Sequence, residues 1–421
     1  MKSITRTQLF RAALAAIALH VADDNFLQPA AGTSAGDHLL SGLVPLALLA
    51  LAAWGFPRLS GGRQGALALF LGPLAIAIGI EAVHYANQVG ASGDDFTGFL
   101  TIPAGLTLLG LGAVTLWRTR RMEGNRVWRY GRRGLFGLAG ALVAFVLVLP
   151  IGFAYVTTHT ARAVVPENKL GAAYENVSFE TGDGLTLKGW YVPSKNGAAV
   201  ISFPGRKGPQ KPAAMLARHG YGVLVFDRRG EGQSDGDPNA FGWDGDRDVK
   251  AAIDYLQTRS DVEPERIGGI GLSVGGEMML EAAAEDHDLR AVVSEGAGAR
   301  AYSDSVDELR YVKDTDPVSK LLYTANSAVR VGALSVLANQ EPPKSLKSLV
   351  ARIAPRPVML IAAPNSKHGE ELNRDYYAAA HEPKTLWEIP ESKHTGAIDA
   401  RPRAYERRVT SFFDRALRTS R

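Results

Sequence analysis

The segment Gly271–Gly275, which reads G-L-S-V-G, constrains the fold more than any other part of this 421-residue chain. It lies between an apolar run, Arg266–Ile270, and a helix-prone stretch, Glu277–Glu285. A serine in the pattern G-x-S-x-G between a strand and a helix is typical of a nucleophile elbow, because the glycines let the backbone turn tightly. The alternative is a purely structural turn of small residues, since the pattern itself is short. The context favours the elbow, and we predict that Ser273 projects at the carboxyl edge of a sheet.

Residues 1–157 contain five long apolar stretches. They lie at about Gln8–Ala22, Leu39–Phe56, Ala66–Ile80, Phe99–Trp117 and Gly134–Tyr155. A helix needs about 20 mostly apolar residues to cross a bilayer core, and the first and third stretches reach that length only with flanking residues. Buried helices of a soluble domain are the alternative, but Leu135–Tyr155 contains no charged residue. We therefore predict an all-α transmembrane bundle of about five helices over residues 1–157.

The first stretch has a second interpretation as a cleaved signal peptide. Lys2, Arg6 and Arg11 would be its basic region and Ala12–Ala22 its apolar core, although no convincing small-x-small cleavage site follows directly. Both interpretations give the rest of the chain the same orientation.

Basic residues mark the cytoplasmic loops of multi-pass membrane proteins. They precede the first stretch, follow the second at Arg58 and Arg63, and are dense over residues 118–133, whereas residues 28–38 and 88–98 contain no Lys or Arg. If all five stretches span the membrane, the amino terminus is cytoplasmic; if the first is cleaved, the remaining four spans begin on the outer side. In both cases we predict that everything after Tyr155 is extracytoplasmic. The net charge of +4 mostly reflects these juxtamembrane arginines and does not indicate nucleic-acid binding. The absence of cysteine excludes disulfides and thiolate chemistry.

From about Val165 onward, short β-rich runs alternate with helical stretches. This is typical of a mainly parallel sheet with helices on both faces. After a linker at residues 158–172 we predict one α/β domain over residues 173–421, with a small helical cap at about 302–355. The expected strands are Tyr174–Glu180, Thr186–Tyr191, Ala198–Phe203, Gly222–Phe226, Arg266–Gly271, Leu289–Ser294, Pro357–Ala362 and Thr385–Ile389.

Two further motifs accompany the elbow. Asp227–Ser234 reads D-R-R-G-E-G-Q-S, and Lys393–Gly396 reads K-H-T-G near the end of the chain. With these motifs, residues 175–417 resemble the α/β-hydrolase superfamily. The resemblance implies an α/β-hydrolase fold with Ser273 as nucleophile and His394, after the last strand, as base. It also implies that the Asp227–Ser234 turn is a structural support without chemistry.

The acid that would orient His394 is less clear from the sequence. The superfamily usually has an aspartate just after the strand that here ends near Ala362, but residues 363–367 contain no acid. Some members instead use a carboxylate directly after the preceding strand, where Glu295 stands. We favour Glu295, which Gly296 and Gly298 would let approach the histidine. Glu370 or Glu371 would need a longer excursion of the chain, and Glu371 is kept as the alternative.

The resemblance also implies an oxyanion hole made of backbone N–H groups. Val274, the residue after the nucleophile, would supply one, and Arg206, after Pro204-Gly205, the other. The superfamily more often has His-Gly where this chain has Pro204-Gly205, which puts the surrounding hydrogen bonds in doubt but not the N–H of Arg206.

The membrane half contains ionisable residues near the predicted outer ends of its helices. A metal or headgroup site is one interpretation, and interface residues without a joint role are the one we favour. The residues are His20, Asp23, Asp24, Asp37, His38, His84, Asp94 and Asp95.

These observations together predict a multi-pass membrane protein with a serine hydrolase domain. We expect an esterase that acts through an acyl-enzyme, or less favourably an amide or peptide hydrolase, on a small-molecule or lipid-like acyl substrate. No cofactor, metal or nucleic acid is expected. The competing hypothesis is a non-enzymatic membrane sensor or transport component that uses the hydrolase fold as a binding module. The missing acid after Ala362 and the Pro204 departure favour that hypothesis, whereas the intact elbow and the Ser273, His394 order oppose it.

Overall fold

A computed structural model of the chain describes residues 4–91, 93, 95–120, 125–159, 165–238, 241–312, 316–366 and 370–417. The chain divides into two compact units. The helical unit comprises Met1–Ala161 and Pro317–Gln340, and the α/β unit comprises Arg162–Asp316 and Glu341–Arg421.

The first part of the helical unit is built entirely of helices. They are α1 (Arg6–Ala22), α2 (Leu39–Gly55), α3 (Gly61–Val89), α4 (Asp95–Gly98), α5 (Thr101–Thr119), α6 (Arg126–Val143) and α7 (Leu149–Thr158), with π-helical turns at Asp23–Leu27 and Ala144–Val148 and a 3-10 turn at Phe56–Arg58.

Four helical segments among the described residues are long and apolar enough to cross a membrane. They are Leu39–Arg58, Gly61–Asn87, Asp95–Thr119 and Arg126–Thr158, with mean hydropathy between 1.8 and 2.5. The first of the five predicted spans corresponds to α1, which has 17 residues and is not among these four segments. The first predicted stretch therefore forms a helix, and its crossing of the membrane stays a prediction.

Helices α3 and α5 approach each other closely through glycines spaced seven residues apart. A Cβ atom on Gly105 of α5 would lie 2.7 Å from the carbonyl oxygen of Gly72 of α3. One on Gly112 would lie 2.8 Å from the carbonyl oxygen of Gly65. Small residues at such crossings are the usual means by which membrane helices bring their backbones together.

The α/β unit contains an eight-stranded sheet in the order β1-β2-β4-β3-β5-β6-β7-β8. Strand β2 pairs antiparallel with β1 and β4, and the remaining pairs are parallel. Each expected strand is present within two residues of its predicted bounds. The strands are β1 (Glu175–Glu180), β2 (Thr186–Val192), β3 (Ala199–Phe203), β4 (Gly222–Phe226), β5 (Ile267–Leu272), β6 (Ala291–Glu295), β7 (Val358–Ala362) and β8 (Lys384–Glu388).

The central strands are buried on both faces. Every residue of β3 and β4 is buried, as expected for a parallel sheet covered by helices on each side. Leu224 and Phe226 of β4 face one core cluster, and Val223 and Val225 face the other. The connecting and flanking helices are α8 (Lys211–Arg218), α9 (Gly245–Gln257), α10 (Val274–Glu285), α11 (Tyr302–Glu308), α12 (Pro317–Leu337), α13 (Leu346–Val350), α14 (Leu372–Ala379), α15 (Ala397–Ala400) and α16 (Pro402–Ala416).

The segment predicted as a single cap, residues 302–355, is divided between the two units. Helices α11 and α13 belong to the α/β unit, whereas α12 belongs to the helical unit. Ser327, Val331 and Leu334 form a buried stripe on α12, and Asn326 Nδ2 donates to the carbonyl oxygen of Phe145 at 2.7 Å. The buried residues of α12 recur at helical spacing, which gives this helix an apolar face that can pack in a helical bundle. This face explains why α12 belongs to the helical unit and not to a cap of the α/β unit.

Candidate active site

Ser273 occupies the sharp turn between β5 and α10. Its backbone has φ 54° and ψ −126°, an unfavourable conformation for a residue with a side chain. A Cβ on Gly271 would overlap the carbonyl oxygen of Gly275, and one on Gly275 would lie 2.6 Å from Phe203 Cβ. Both glycines are therefore required by close backbone approach, and the turn has the geometry of the predicted nucleophile elbow.

His394 follows β8 and contacts Ser273 directly. Its Nε2 lies 2.9 Å from Ser273 Oγ, and its Nδ1 lies 2.7 Å from Glu370 Oε1. A carboxylate can only accept, so Nδ1 carries the hydrogen and Nε2 is left to accept the hydroxyl proton of Ser273. The structure thus brings the predicted serine and histidine within hydrogen-bond distance, with the histidine between the serine and a carboxylate.

The carboxylate on His394 belongs to Glu370, which corrects the sequence-based choice of Glu295 and its alternative Glu371. Glu370 is 1% exposed and also accepts hydrogen bonds from Ala363 N at 2.6 Å and Ser366 Oγ at 2.9 Å. It stands eight residues after the end of β7, so the chain makes the longer excursion that the sequence analysis disfavoured. Glu371, its neighbour, occupies the N-cap position of α14, and its side chain makes no capping hydrogen bond there.

Glu295 has a different position and different partners. Its Oε1 accepts from Ala397 N at 2.9 Å and its Oε2 from Tyr405 Oη at 3.0 Å. Successive side chains of a strand face opposite sides of a sheet, and Ser294 lies against α10, so Glu295 faces α16. Burial raises the pKa of Glu295, while the hydrogen bonds from Ala397 and Tyr405 oppose that shift. Glu295 anchors the segment that follows His394.

The loop after β6 nevertheless reaches the histidine, as expected from its glycines. Gly296 has φ 72°, and a Cβ placed on it would lie 3.3 Å from Nδ1 of His394. The main chain of Gly296, rather than the carboxylate of Glu295, packs against the imidazole.

The two predicted oxyanion donors differ in their availability. Val274 is the first residue of α10, so its N–H has no acceptor within the helix. The N–H of Arg206 instead donates to Asp227 Oδ1 at 2.9 Å, which corrects its prediction as a free donor. The reason is a buried ion pair, because Nε and Nη2 of the same Arg206 bind Asp227 Oδ2 at 2.9 and 2.7 Å.

The Asp227–Ser234 turn acts as a support, as the resemblance implied. Ser234 Oγ donates to the carbonyl oxygen of Asp227 at 2.6 Å and accepts from Lys188 N at 2.9 Å. Arg229 lies between Asp248 at 2.8 Å and Asp183 at 2.9 Å. Burial alone would raise the pKa of Asp183, but hydrogen bonds from Arg229 and Thr181 hold it well below its usual range.

The ionisable residues of the helical unit form hydrogen bonds rather than a metal cluster. Thr97 Oγ1 donates to Asp23 Oδ2 at 2.8 Å and lies 3.2 Å from His20 Nδ1, while His20 Nε2 lies 3.3 Å from Tyr155 Oη. Within the described ranges no group of three or more His, Asp or Glu side chains could hold a metal ion. Asp94 lies outside the described residues.

Much of the chain is similar to known proteins. Residues 160–361 match the family model of the X-Pro dipeptidyl-peptidases, the S15 family. The uncharacterized protein YfhR of Salmonella typhi is 29% identical over 283 residues, which cover 60% of this chain and 87% of that protein. The polyketide transferase grgF of a Penicillium species is 35% identical over 132 residues, or 28% of this chain and 43% of that protein.

Among solved structures, an esterase of Pyrococcus furiosus, Pf2001, is similar with a TM-score of 0.48 and 22% sequence identity. The match covers 61% of this chain and 98% of the esterase. The carboxyl-terminal part of this chain, which follows a region of membrane-type helices, has the α/β-hydrolase fold, with a mostly parallel eight-stranded sheet.

Proposed function

We propose that the chain is a membrane-anchored serine hydrolase, an esterase that acts through an acyl-enzyme. The observation that supports this most directly is the continuous hydrogen-bonded series Ser273, His394, Glu370, with distances of 2.9 and 2.7 Å. A serine hydroxyl is a weak nucleophile, and a neighbouring imidazole oriented by a buried carboxylate is the usual means of activating it.

In the proposed reaction, His394 Nε2 takes the hydroxyl proton of Ser273 while Oγ attacks the carbonyl carbon of the ester. The carbonyl oxygen becomes negative, and the N–H of Val274 donates to it. His394 then gives its proton to the leaving alkoxide, and the C–O bond breaks to leave an acyl-serine. A water molecule, deprotonated by the same imidazole, hydrolyses the acyl-serine and restores Ser273.

The membrane-type helices support a lipid-like or other acylated substrate. Four helical segments of spanning length precede the α/β unit in the chain, and α12, which lies between β6 and β7 in sequence, belongs to the helical unit. The proposed topology keeps the α/β unit outside the cytoplasm. Because the chain has no cysteine, a cysteine at the exposed position Glu265 provides a unique label. Labelling by an impermeant thiol reagent in intact cells supports this orientation, and protection of the cysteine contradicts it.

One observation favours the competing binding module. The N–H of Arg206 is engaged by Asp227 and is not free to stabilise an oxyanion. A binding module needs no oxyanion hole, whereas an esterase must still bind the developing charge.

Turnover distinguishes the two functions. The purified full-length protein in detergent is compared with Ser273→Ala on 4-nitrophenyl acetate, butyrate and octanoate and on an X-Pro 4-nitroanilide. We expect ester hydrolysis that the substitution abolishes and little anilide hydrolysis. Ser273-dependent cleavage of the anilide alone would replace the esterase with a peptidase, and no Ser273-dependent turnover in folded protein would favour the binding module.

A further inference from the structure

Arg228 is a buried arginine with an unused hydrogen-bond donor next to the candidate active site. It follows β4 directly and is 7% exposed. Its Nη2 donates to Glu231 Oε1 at 2.8 Å. Its Nη1 is buried and finds no hydrogen-bond partner among the described residues. An unsatisfied buried donor is costly, and a charged one more so, which gives a ligand that binds this nitrogen a free-energy advantage.

The free nitrogen lies beside the residue that follows the nucleophile. A Cβ atom built on Gly242 would be 2.8 Å from Arg228 Nη1 and 2.8 Å from Val274 Cγ1. These two atoms are therefore no more than twice that distance, 5.6 Å, apart. Since Val274 is adjacent to Ser273 and supplies the candidate oxyanion N–H, Nη1 is within reach of a substrate bound at Ser273.

Arg228 shares its ion-pair partner with a second cation. The carboxylate of Glu231 is shared between Arg228 and Lys207, whose Nζ lies 2.9 Å from the same Oε1. Burial alone would raise the pKa of Glu231, but the charges of Arg228 and Lys207 bring it below its usual value. Glu231 therefore binds only one of the two terminal nitrogens of Arg228 and also serves Lys207.

The other buried acids nearby bind different groups. Glu281 forms an ion pair with Arg300, and Oε1 of Glu277 accepts a hydrogen bond from Gly298 N at 3.1 Å. Burial raises the pKa of Glu277, and the positive charges of Arg300 and Arg228 oppose that shift, so Glu277 acts on Arg228 through charge and not through a hydrogen bond. Neither carboxylate hydrogen-bonds to Nη1 of Arg228, which therefore remains a donor for an external anion.

The contacts that support the turn after β4 are made mainly by residues other than Arg228. In the D-x-R-G-x-G-x-S turn, Asp227, Arg229 and Ser234 make the supporting contacts, and Arg228 is the unspecified second residue. A guanidinium is planar and presents its donors in the geometry that a carboxylate accepts.

We propose that Arg228 is a specificity-determining residue that binds a carboxylate on the acyl part of the ester substrate. This inference rests on the proposed esterase function. A carboxylate on Nη1 would satisfy the buried donor and would hold the scissile carbonyl near Ser273.

A matched pair of substrates tests the proposal with the full-length protein in detergent. 4-Nitrophenyl hydrogen glutarate carries a terminal carboxylate, and 4-nitrophenyl pentanoate has the same acyl length without it. We expect the protein to prefer the anionic ester in kcat/KM. Because hydrogen bonds to charged groups contribute about 1.5–3 kcal/mol, Arg228→Met is expected to lower the ratio of the two kcat/KM values by roughly 10- to 100-fold, mainly through KM.

Two further variants guard against a general loss of structure. Arg228→Lys keeps the charge, and we expect it to retain more of the preference than Arg228→Met. Arg356→Met removes another partly buried arginine that also has an unpartnered nitrogen but binds the carbonyl oxygens of Asp286 and Leu289, so the ratio should not change.

The outcomes separate this inference from the function on which it rests. Ser273-dependent hydrolysis of both esters with no preference for the glutarate, or with a preference that Arg228→Met and Arg228→Lys leave intact, overturns the role of Arg228 and leaves the esterase standing. Absence of Ser273-dependent hydrolysis of either ester overturns both.

Discussion

Replacing Glu370 by glutamine tests how the candidate active site is organised. The carboxylate receives three hydrogen bonds, from His394 Nδ1 at 2.7 Å, Ala363 N at 2.6 Å and Ser366 Oγ at 2.9 Å. A glutamine has one oxygen and one NH₂ group, so it cannot accept from all three. If its oxygen faces His394, its NH₂ opposes the N–H of Ala363. If it flips, the NH₂ faces Nδ1 and stabilises the wrong tautomer of the imidazole.

The expected cost is large because the group is 1% exposed and therefore poorly screened. Loss of the orienting carboxylate in serine hydrolases lowers kcat by about 10⁴, which corresponds to roughly 5 kcal/mol of transition-state stabilisation. We expect Glu370→Gln to lower kcat by about 10³- to 10⁴-fold, measured on a 4-nitrophenyl ester with thermal unfolding as the check of folding.

The matched control is Glu295→Gln, an equally conservative change of a buried carboxylate in the same unit. Its partners are Ala397 N and the Tyr405 hydroxyl, and the hydroxyl can accept from an amide as well as donate. We expect kcat to fall by less than about tenfold, since the geometry of Ser273 and His394 is retained. A reversed result, with Glu295→Gln inactive and Glu370→Gln active, would refute the reasoning.

Three other predictions concern stability and are read from thermal unfolding of the detergent-solubilised protein. Gly275→Ala should destabilise the protein by about 1–3 kcal/mol, because the added Cβ would lie 2.6 Å from Phe203 Cβ, whereas Gly182→Ala adds a Cβ with no atom within 4 Å and should change stability little. Equal melting temperatures of the two variants would contradict the close packing at the elbow. Arg229→Met removes the ion-pair partner of the fully buried Asp248 carboxylate and should lower the free energy of unfolding by about 3–5 kcal/mol, or Tm by roughly 6–20 °C. A decrease in Tm of less than about 2 °C would show that this ion pair does not stabilise the fold. Gly105→Leu should disrupt the close crossing of α3 and α5 and lower Tm, whereas Gly110→Leu, at a position of α5 with no atom within 4 Å of its Cβ, should not. Equal decreases in Tm for the two variants would argue against the crossing.

The sheet could be predicted from sequence because its signal is local. Buried parallel strands are short, continuous apolar runs between turn residues, and β3 and β4 have that form at every position. The elbow was recognisable for the same reason, since its glycines are demanded by contacts within a few residues and with the neighbouring strand.

The acid could not be identified because its position depends on the path of a loop. Glu370, which binds His394, stands eight residues after the end of β7, and the sequence between them has no periodic pattern. Glu295 is correctly placed along the chain, but the alternation of side chains in β6 turns it away from the histidine. The alternation of side chains along β6 follows from the sequence alone, and it is a reason against Glu295 as the acid.

Two other differences arose from contacts that are distant in sequence. The N–H of Arg206 is occupied because its own side chain pairs with Asp227, 21 residues later. Helix α12 was assigned to a cap from its position between two strands, but its buried stripe packs in the helical unit. The Arg206–Asp227 contact leaves no local pattern, whereas the apolar period of α12 is local but does not say which unit covers it.

Labelling with a fluorophosphonate probe tests the central claim most directly, because such probes react with activated serines and not with idle ones. The full-length protein in detergent is compared with Ser273→Ala and with Ser202→Ala, a buried serine of β3, as a control. We expect one labelled serine, with labelling lost in Ser273→Ala and kept in Ser202→Ala. Folded protein that remains unlabelled, or that is labelled equally in Ser273→Ala, would contradict the assignment of Ser273 as an activated nucleophile.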